Sequence, residues 1–270
     1  MTNPAIRLKR DGALATVTLV NPDRLNAMTR SMWRDLRLVF IALAQDLDLR
    51  CIIVCGQGGA FCAGGDISEY PSFRFDRQKL RAFHEEEVWG ALQSMLDCQI
   101  PLVAQIDGVC MGAGLEIASC CDIRLAGVFA KFGAPISRLG FPMAPREAAL
   151  VMRAIGRTLA FDMLLSAGVH DAPRLLQAGF LLRVVADAEL AEAAWNHAQR
   201  IADLAPQAAR LNKRTFAILA ALTSSALGEV PIDAADTDLQ SLLTSAYDYA
   251  DSAEHREGIA AFIGKRRPVF

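Results

Sequence analysis

The chain has 270 residues, of which 53% are hydrophobic and 21% charged, with a formal net charge of −2. This length and composition exclude an intrinsically disordered chain and are typical of one large domain, or of a domain with a smaller one. The near-neutral charge argues against a partner such as nucleic acid or an anionic membrane. The amino terminus has no signal-peptide pattern, and no apolar run approaches the roughly 18 to 20 residues of a membrane span. We therefore expect a soluble, cytoplasmic protein.

Strands and helices alternate in the first half of the chain. Apolar runs bounded by turn residues predict strands, and apolar residues at helical spacing predict helices. The predicted strands cover 13–20, 51–56, 101–108 and 121–127, and the predicted helices cover 31–46, 77–97 and 114–121. This alternation predicts an α/β fold with both faces of the sheet covered.

The second half changes character after a last predicted strand at 180–186. The remaining pattern predicts helices, with Pro206 at one start and Asp251 or Ser252 as a cap. These helices cover 188–204, 206–222, 237–252 and 253–266. We therefore place a boundary near residue 200, between an α/β core (1–200) and a C-terminal helical region (201–270).

Cysteine and histidine usage gives no metal signature. The seven cysteines show no C-x-x-C spacing, and the four histidines are scattered without the spacing of metal ligands. Several cysteines lie inside apolar runs, which is typical of small buried side chains in a reducing compartment. We expect no metal site.

Two glycine-rich turns follow two of the predicted strands, at 58–70 and 108–116. Neither matches a P-loop or a dinucleotide-binding motif. Each turn alone is explained by tight chain reversal, but two of them after neighbouring strands indicate a site between them. If a helix begins near Gly112, the N–H of Ala113 is free to bind an oxyanion, and Glu116 lies one turn further on. Glu116 is then either an acid/base beside a polarised carbonyl or an exposed helix-start glutamate.

Four segments in order, at 19–29, 60–69, 101–127 and 257–270, resemble the crotonase, or enoyl-CoA hydratase/isomerase, family. The resemblance implies an α/β fold, a crotonase-like spiral of ββα repeats, followed by a C-terminal helical trimerisation region. Trimers of this family often pair into hexamers. The resemblance also implies an acyl-CoA thioester as substrate, with coenzyme A as part of that substrate and no metal or redox cofactor.

The resemblance implies roles for individual residues. By position, Gly65 and Ala113 match the two backbone donors of the oxyanion hole, and Glu116 matches the first catalytic glutamate. The positions that match CoA-binding residues are Arg24, Ala63 and Ile67 in the core and Phe262 and Lys265 in the tail, which often reaches a neighbouring subunit.

The chain departs from typical hydratases at the second catalytic glutamate, where it has Ile136, and in the turn at 142–148. A single carboxylate suffices to move a double bond, whereas hydration divides its proton transfers between two. The departure therefore favours an isomerase. A hydratase with a relocated second acid/base stays open, with Glu147, Arg146 and His84 as candidates. The plainer interpretations are a first-turn helix acid for Glu147 and a solvent-facing residue for His84.

Two further functions stay open: another crotonase chemistry, such as a decarboxylase or a thioester hydrolase, and a non-catalytic acyl-CoA binder. The segment 70–80 is predicted to form a mobile wall of the acyl pocket. Its aromatic residues Tyr70, Phe73 and Phe75 predict an apolar acyl group.

Overall fold

The computed structural model describes residues 3–225 and 232–270, which form nine β-strands and eleven α-helices. The strands are β1 (Ala5–Asp11), β2 (Leu14–Val20), β3 (Cys51–Gly56), β4 (Leu102–Ile106), β5 (Val109–Met111), β6 (Ile123–Gly127), β7 (Lys131–Gly133), β8 (Val169–Asp171) and β9 (Arg183–Val185). The helices are α1 (Arg30–Leu43), α2 (Arg77–Ala82), α3 (Trp89–Asp97), α4 (Ala113–Cys120), α5 (Pro145–Ile155), α6 (Arg157–Leu165), α7 (Ala172–Gln177), α8 (Asp187–Ala202), α9 (Pro206–Ser225), α10 (Ile232–Ser245) and α11 (Ala253–Ile263). In these two ranges no helix is both long and apolar enough to cross a bilayer.

The described chain forms two compact units. The first consists of the described residues of Met1–Cys98 together with Leu102–Gln199, and the second of Gln99–Pro101 together with Arg200–Phe270. The assignment of an acyl-CoA site to the core and of trimer formation to the helical region stays a prediction.

The first unit contains two sheets. The larger has the strand order β1-β2-β3-β4-β6-β9, in which only the β1–β2 pair is antiparallel. The smaller has the order β5-β7-β8. After β4 in the larger sheet the chain forms β5 in the smaller sheet, then helix α4, and then returns to the larger sheet as β6. The predicted α/β fold is confirmed, and the larger sheet is parallel apart from its β1–β2 pair.

Apolar composition explains why the central strands sit in the middle of the larger sheet. The first four residues of β3 are fully buried, and four of the five residues of β4 are buried. Strands buried on both faces are typical of parallel sheets covered by helices. Helix α1 buries one face, with Trp33 and Phe40 in the core, and its N-cap Thr29 accepts a hydrogen bond from the N–H of Met32.

The predicted helix at 77–97 is interrupted in the middle. Helices α2 and α3 are joined by a π-helical turn, Phe83–Val88. Such turns insert a residue into the helical register and often occur at functional sites.

The predicted helix at 237–252 is wrong in its second half, because α10 ends at Ser245. The chain then continues in tight turns, in which the N–H groups of Asp248, Ala250 and Ser252 donate to carbonyls three residues back. Tyrosine and aspartate disfavour the helix interior, and aspartate forms local backbone hydrogen bonds instead. Ser252 is the N-cap of α11, as predicted, and accepts a hydrogen bond from the N–H of His255.

Candidate active site

The two glycine-rich turns lie against each other after β3 and β4. The N–H of Cys62 donates to the carbonyl of Val109 at 2.9 Å, and the N–H of Met111 donates to the carbonyl of Cys62 at 2.9 Å. Gly114 completes the contact, because a Cβ at this position would lie 2.5 Å from the Cys62 carbonyl oxygen. The sequence therefore needs glycine at 114 to let the helix approach the first turn.

Helix α4 presents an unpaired backbone donor at its start. Its N-cap, Gly112, has a φ of +48°, a conformation that residues with a Cβ rarely adopt. The Gly112 carbonyl accepts the N–H of Glu116 at 3.0 Å. The N–H of Ala113 has no acceptor in the part of the chain that the structure describes, as is normal in the first turn of a helix.

The first glycine-rich turn, at 58–70, presents a second unpaired backbone donor, the N–H of Gly65. Met28 donates to the Gly64 carbonyl and accepts from the N–H of Asp66, both at 2.8 Å, which leaves the Gly65 N–H between them without an acceptor among residues 3–225 and 232–270. Asp66 braces this turn, because its carboxylate accepts the N–H of Ser68 at 3.0 Å.

Glu116 is buried beside these donors, with only 9% of its surface exposed. Burial raises the pKa of its carboxyl to about 8, and the nearby Glu147 contributes in the same direction. The interpretation of Glu116 as an exposed helix-start residue is therefore wrong. A carboxyl with this pKa can both accept and return a proton near neutral pH.

Glu147 and His84 form a pair behind Glu116. Glu147 lies in the first turn of α5, as predicted, but it is only 2% exposed, and its Oε1 lies 3.0 Å from His84 Nδ1. His84 lies on the π-helical turn and is half-buried, so the interpretation of it as a solvent-facing residue is wrong. Arg146 points elsewhere, since it pairs with Glu85 at 3.2 Å.

A cavity of about 330 Å³ opens onto both turns and Glu116. Its walls are mostly apolar and include Trp33, Val88, Met111, Ile136, Phe141 and Met143. Among the described residues that line it, Glu116 is the single carboxylate, and Tyr70 and Arg138 bring the other polar side chains. The donors, the acid and an apolar cavity of this size together suit an acyl thioester.

Of the predicted CoA-binding residues of the first unit, two line this cavity, and the third precedes a residue that is hydrogen-bonded to one of them. Ala63 and Ile67 line the cavity. Arg24 lies on an exposed 3₁₀ turn, and the carbonyl of the following residue, Leu25, accepts the N–H of Ala63 at 2.9 Å.

The predicted CoA-binding residues of the tail lie in the second unit. Phe262 is 84% exposed at the end of α11, and Lys265 is exposed with a φ of +50°. Their contact with CoA, which in the family often comes from a neighbouring subunit, stays a prediction.

Sequence reasoning missed two polar side chains of the cavity and misplaced two aromatic ones. Tyr70 was expected only as apolar wall, although it follows Gly65 by five residues in the same turn. Arg138 follows Ile136 by two residues, and this closeness in sequence is the only feature that points to a place for Arg138 in the cavity wall. Phe73 is buried and Phe75 is 88% exposed, and neither is among the residues that line the cavity.

Comparisons with known proteins agree with this geometry. The family model described as Enoyl-CoA hydratase/isomerase matches residues 9–270. The probable enoyl-CoA hydratase of Mycobacterium bovis is 31% identical over 272 residues, covering 100% of this chain and 99% of that protein.

Solved structures show the same fold. The enoyl-CoA hydratase/carnithine racemase of Magnetospirillum magneticum has a TM-score of 0.88 and 35% identity, covering 100% of this chain and 96% of its own. The enoyl-CoA hydratase of Mycobacterium smegmatis has a TM-score of 0.84 and 25% identity, covering 99% of both chains. The chain is therefore a member of the enoyl-CoA hydratase/isomerase, or crotonase, family of acyl-CoA enzymes.

Proposed function

We propose that this chain is an enoyl-CoA isomerase in which Glu116 moves one proton along the acyl chain. The observation that carries the proposal is the composition of the cavity wall. Glu116 is the single carboxylate among the described lining residues, and Ile136, which the sequence resemblance matches to the second hydratase glutamate, lies in the same wall.

The chemistry follows from the donors and the acid. The N–H groups of Gly65 and Ala113 donate to the thioester oxygen of a 3-enoyl-CoA and stabilise the negative charge that develops there. Ionised Glu116 removes a proton from Cα, which leaves a dienolate with its charge on that oxygen. The protonated carboxyl then returns the proton to Cγ, and the double bond moves into conjugation with the thioester.

The surroundings of Glu116 support this shuttle. Its carboxyl has no hydrogen-bond partner among the residues that the structure describes, so it is free to turn between two carbons of a bound chain. The apolar wall keeps water scarce, which protects the dienolate from side reactions.

CoA binding by Arg24, Ala63 and Ile67 is part of the proposal. Ala63 and Ile67 line the cavity beside the two donors, and the exposed guanidinium of Arg24 is available to a phosphate of CoA.

The test compares a 3-enoyl-CoA with a 2-enoyl-CoA of the same chain length, using wild type and Glu116→Gln. We expect isomerisation to exceed hydration in wild type and the substitution to remove both activities. Strong hydration of the 2-enoyl-CoA that survives Glu116→Gln would contradict the role of Glu116.

A hydratase is the second candidate, favoured by one observation. Glu147 is buried close enough to Glu116 to raise its pKa, and His84 holds it by a hydrogen bond. In a hydratase of this kind, the pair supplies the second acid through a bound water. If the chain is a hydratase of this kind, Glu147→Gln lowers hydration about 10²–10⁴-fold, whereas the isomerase tolerates the substitution with a change below about tenfold.

A further inference from the structure

The hydroxyl of Tyr70 lies beside Gly65, the residue that carries one of the two backbone donors. A Cβ placed on Gly65 would lie 2.4 Å from Tyr70 Oη, so the phenol occupies the space that a side chain at 65 would need. Tyr70 also lines the same cavity as Ala113 and Glu116. A third polar group is therefore present at the oxyanion hole.

The ring of Tyr70 is held in place from several sides. Phe73 and Phe141 meet it edge-on, with centroid distances of 5.7 and 6.1 Å. The guanidinium of Arg74 lies 4.6 Å from its centroid and 3.5 Å from that of Phe141. These contacts fix the direction of the hydroxyl without using its hydrogen-bonding capacity.

The hydroxyl itself is an unused donor. Tyr70 Oη makes no hydrogen bond to residues 3–225 or 232–270, so its proton is available to a ligand in the cavity that Tyr70 lines. Burial raises the pKa of Tyr70, against a lowering by Arg74, and Glu116 and Asp66 raise it further. The phenol thus stays protonated at neutral pH and keeps its proton to donate.

We propose that Tyr70 is a catalytic residue whose hydroxyl donates a third hydrogen bond to the thioester oxygen, beside the N–H groups of Gly65 and Ala113. This inference rests on the proposed function in that it assumes an enolate intermediate. The oxygen carries more negative charge in the enolate than in the thioester, so the third donor stabilises the transition state more than the bound substrate. The expected effect therefore falls on kcat rather than on KM.

The test is Tyr70→Phe, which removes the hydroxyl and keeps the ring contacts. We expect kcat for the 3-enoyl-CoA to fall about 10–100-fold, with KM changed less than about threefold. Tyr249→Phe is the matched control, because Tyr249 packs its ring against His255 in the second unit and has no proposed role. We expect this control to leave kcat unchanged.

A second measurement needs no turnover and separates this inference from the isomerase proposal. Acetoacetyl-CoA ionises to an enolate that absorbs ultraviolet light, and its apparent pKa when bound reports the strength of the hole. We expect that pKa to rise by about 1–2 units in Tyr70→Phe, in line with the loss in kcat. If wild type fails to isomerise but the bound pKa still shifts, the isomerase proposal is wrong and the third donor stands.

A third measurement tests the contact itself. Gly65→Ala forces the Tyr70 hydroxyl aside, because the added Cβ would lie 2.4 Å from Oη but 3.3 Å from the nearest ring carbon. We expect Gly65→Ala to raise the bound enolate pKa in the wild-type background and to have a smaller effect in the Tyr70→Phe background. Unchanged values of kcat and of the bound enolate pKa in Tyr70→Phe would overturn the inference. A raised KM with unchanged kcat would also overturn it, because the hydroxyl would then contact the acyl chain of the substrate and not the thioester oxygen.

Discussion

The substitution Glu116→Gln changes stability and activity in opposite directions. Burial raises the pKa of Glu116 from its ordinary 4.5 to about 8. At about 1.4 kcal/mol per pKa unit, this rise means that ionised Glu116 destabilises the folded chain by about 5 kcal/mol. Glutamine has the same shape and carries no charge, so the variant avoids that cost.

The sign of the pH dependence follows from the raised pKa. The folded chain binds this proton more tightly than the unfolded chain, so the contribution to stability is fully present below about pH 4.5. It falls as the pH rises and is lost above about pH 8. Between pH 5 and pH 9 we expect the free energy of unfolding of wild type, relative to Glu116→Gln, to fall by about 4 kcal/mol.

Two assays at matched protein concentration check this reasoning. Urea unfolding of both proteins at pH 5 and pH 9 gives the relative free energy, because titratable groups that do not interact with Glu116 cancel in the difference. The pH dependence of kcat/KM for isomerisation should rise to a plateau through about pH 8 in wild type, because only the ionised carboxylate accepts the proton. Suppose that the difference in free energy of unfolding between wild type and Glu116→Gln is the same at pH 5 and pH 9, and that kcat/KM is unchanged in the variant. This result would contradict both the raised pKa of Glu116 and its role as the base.

Three other substitutions test the surroundings of Glu116. Glu147→Gln removes a nearby carboxylate and should shift the rising limb of kcat/KM to lower pH, measured with a 3-enoyl-CoA; an unmoved limb would exclude electrostatic coupling to Glu116. Gly114→Ala places a Cβ 2.5 Å from the Cys62 carbonyl and should destabilise the chain by about 1–3 kcal/mol in urea unfolding, whereas unchanged stability would show that the two turns are not in close contact. Ile136→Glu adds a second carboxylate to the cavity wall and should raise hydration of a 2-enoyl-CoA at least about tenfold, while an unchanged rate would show that Ile136 does not face the reacting carbons.

Local sequence was enough to predict the two glycine-rich turns and the helix that follows the second of them. Gly112 is needed for its positive φ at the N-cap of α4, so the helix begins at Ala113. Gly114 is needed because α4 approaches the carbonyl of Cys62 closely. The position of Glu116 in the first turn of α4, three residues after Ala113, follows from helical spacing alone.

The pairing of His84 with Glu147 could not be read from the sequence. The two residues are 63 positions apart, and their contact depends on how the π-helical turn and α5 pack in three dimensions. Each residue alone has an ordinary explanation on the surface of a helix. The Tyr70 hydroxyl was missed for a similar reason, because its direction is set by Phe73, Arg74 and Phe141.

The central claim is that one carboxylate, Glu116, carries a proton from Cα to Cγ of an enoyl thioester. The most direct test uses a 3-enoyl-CoA with deuterium at Cα and follows the product by NMR at early conversion. We expect a 2-enoyl-CoA with part of the deuterium at Cγ, and loss of this product in Glu116→Gln. A 3-hydroxyacyl-CoA as the product, with no deuterium at Cγ, would contradict it.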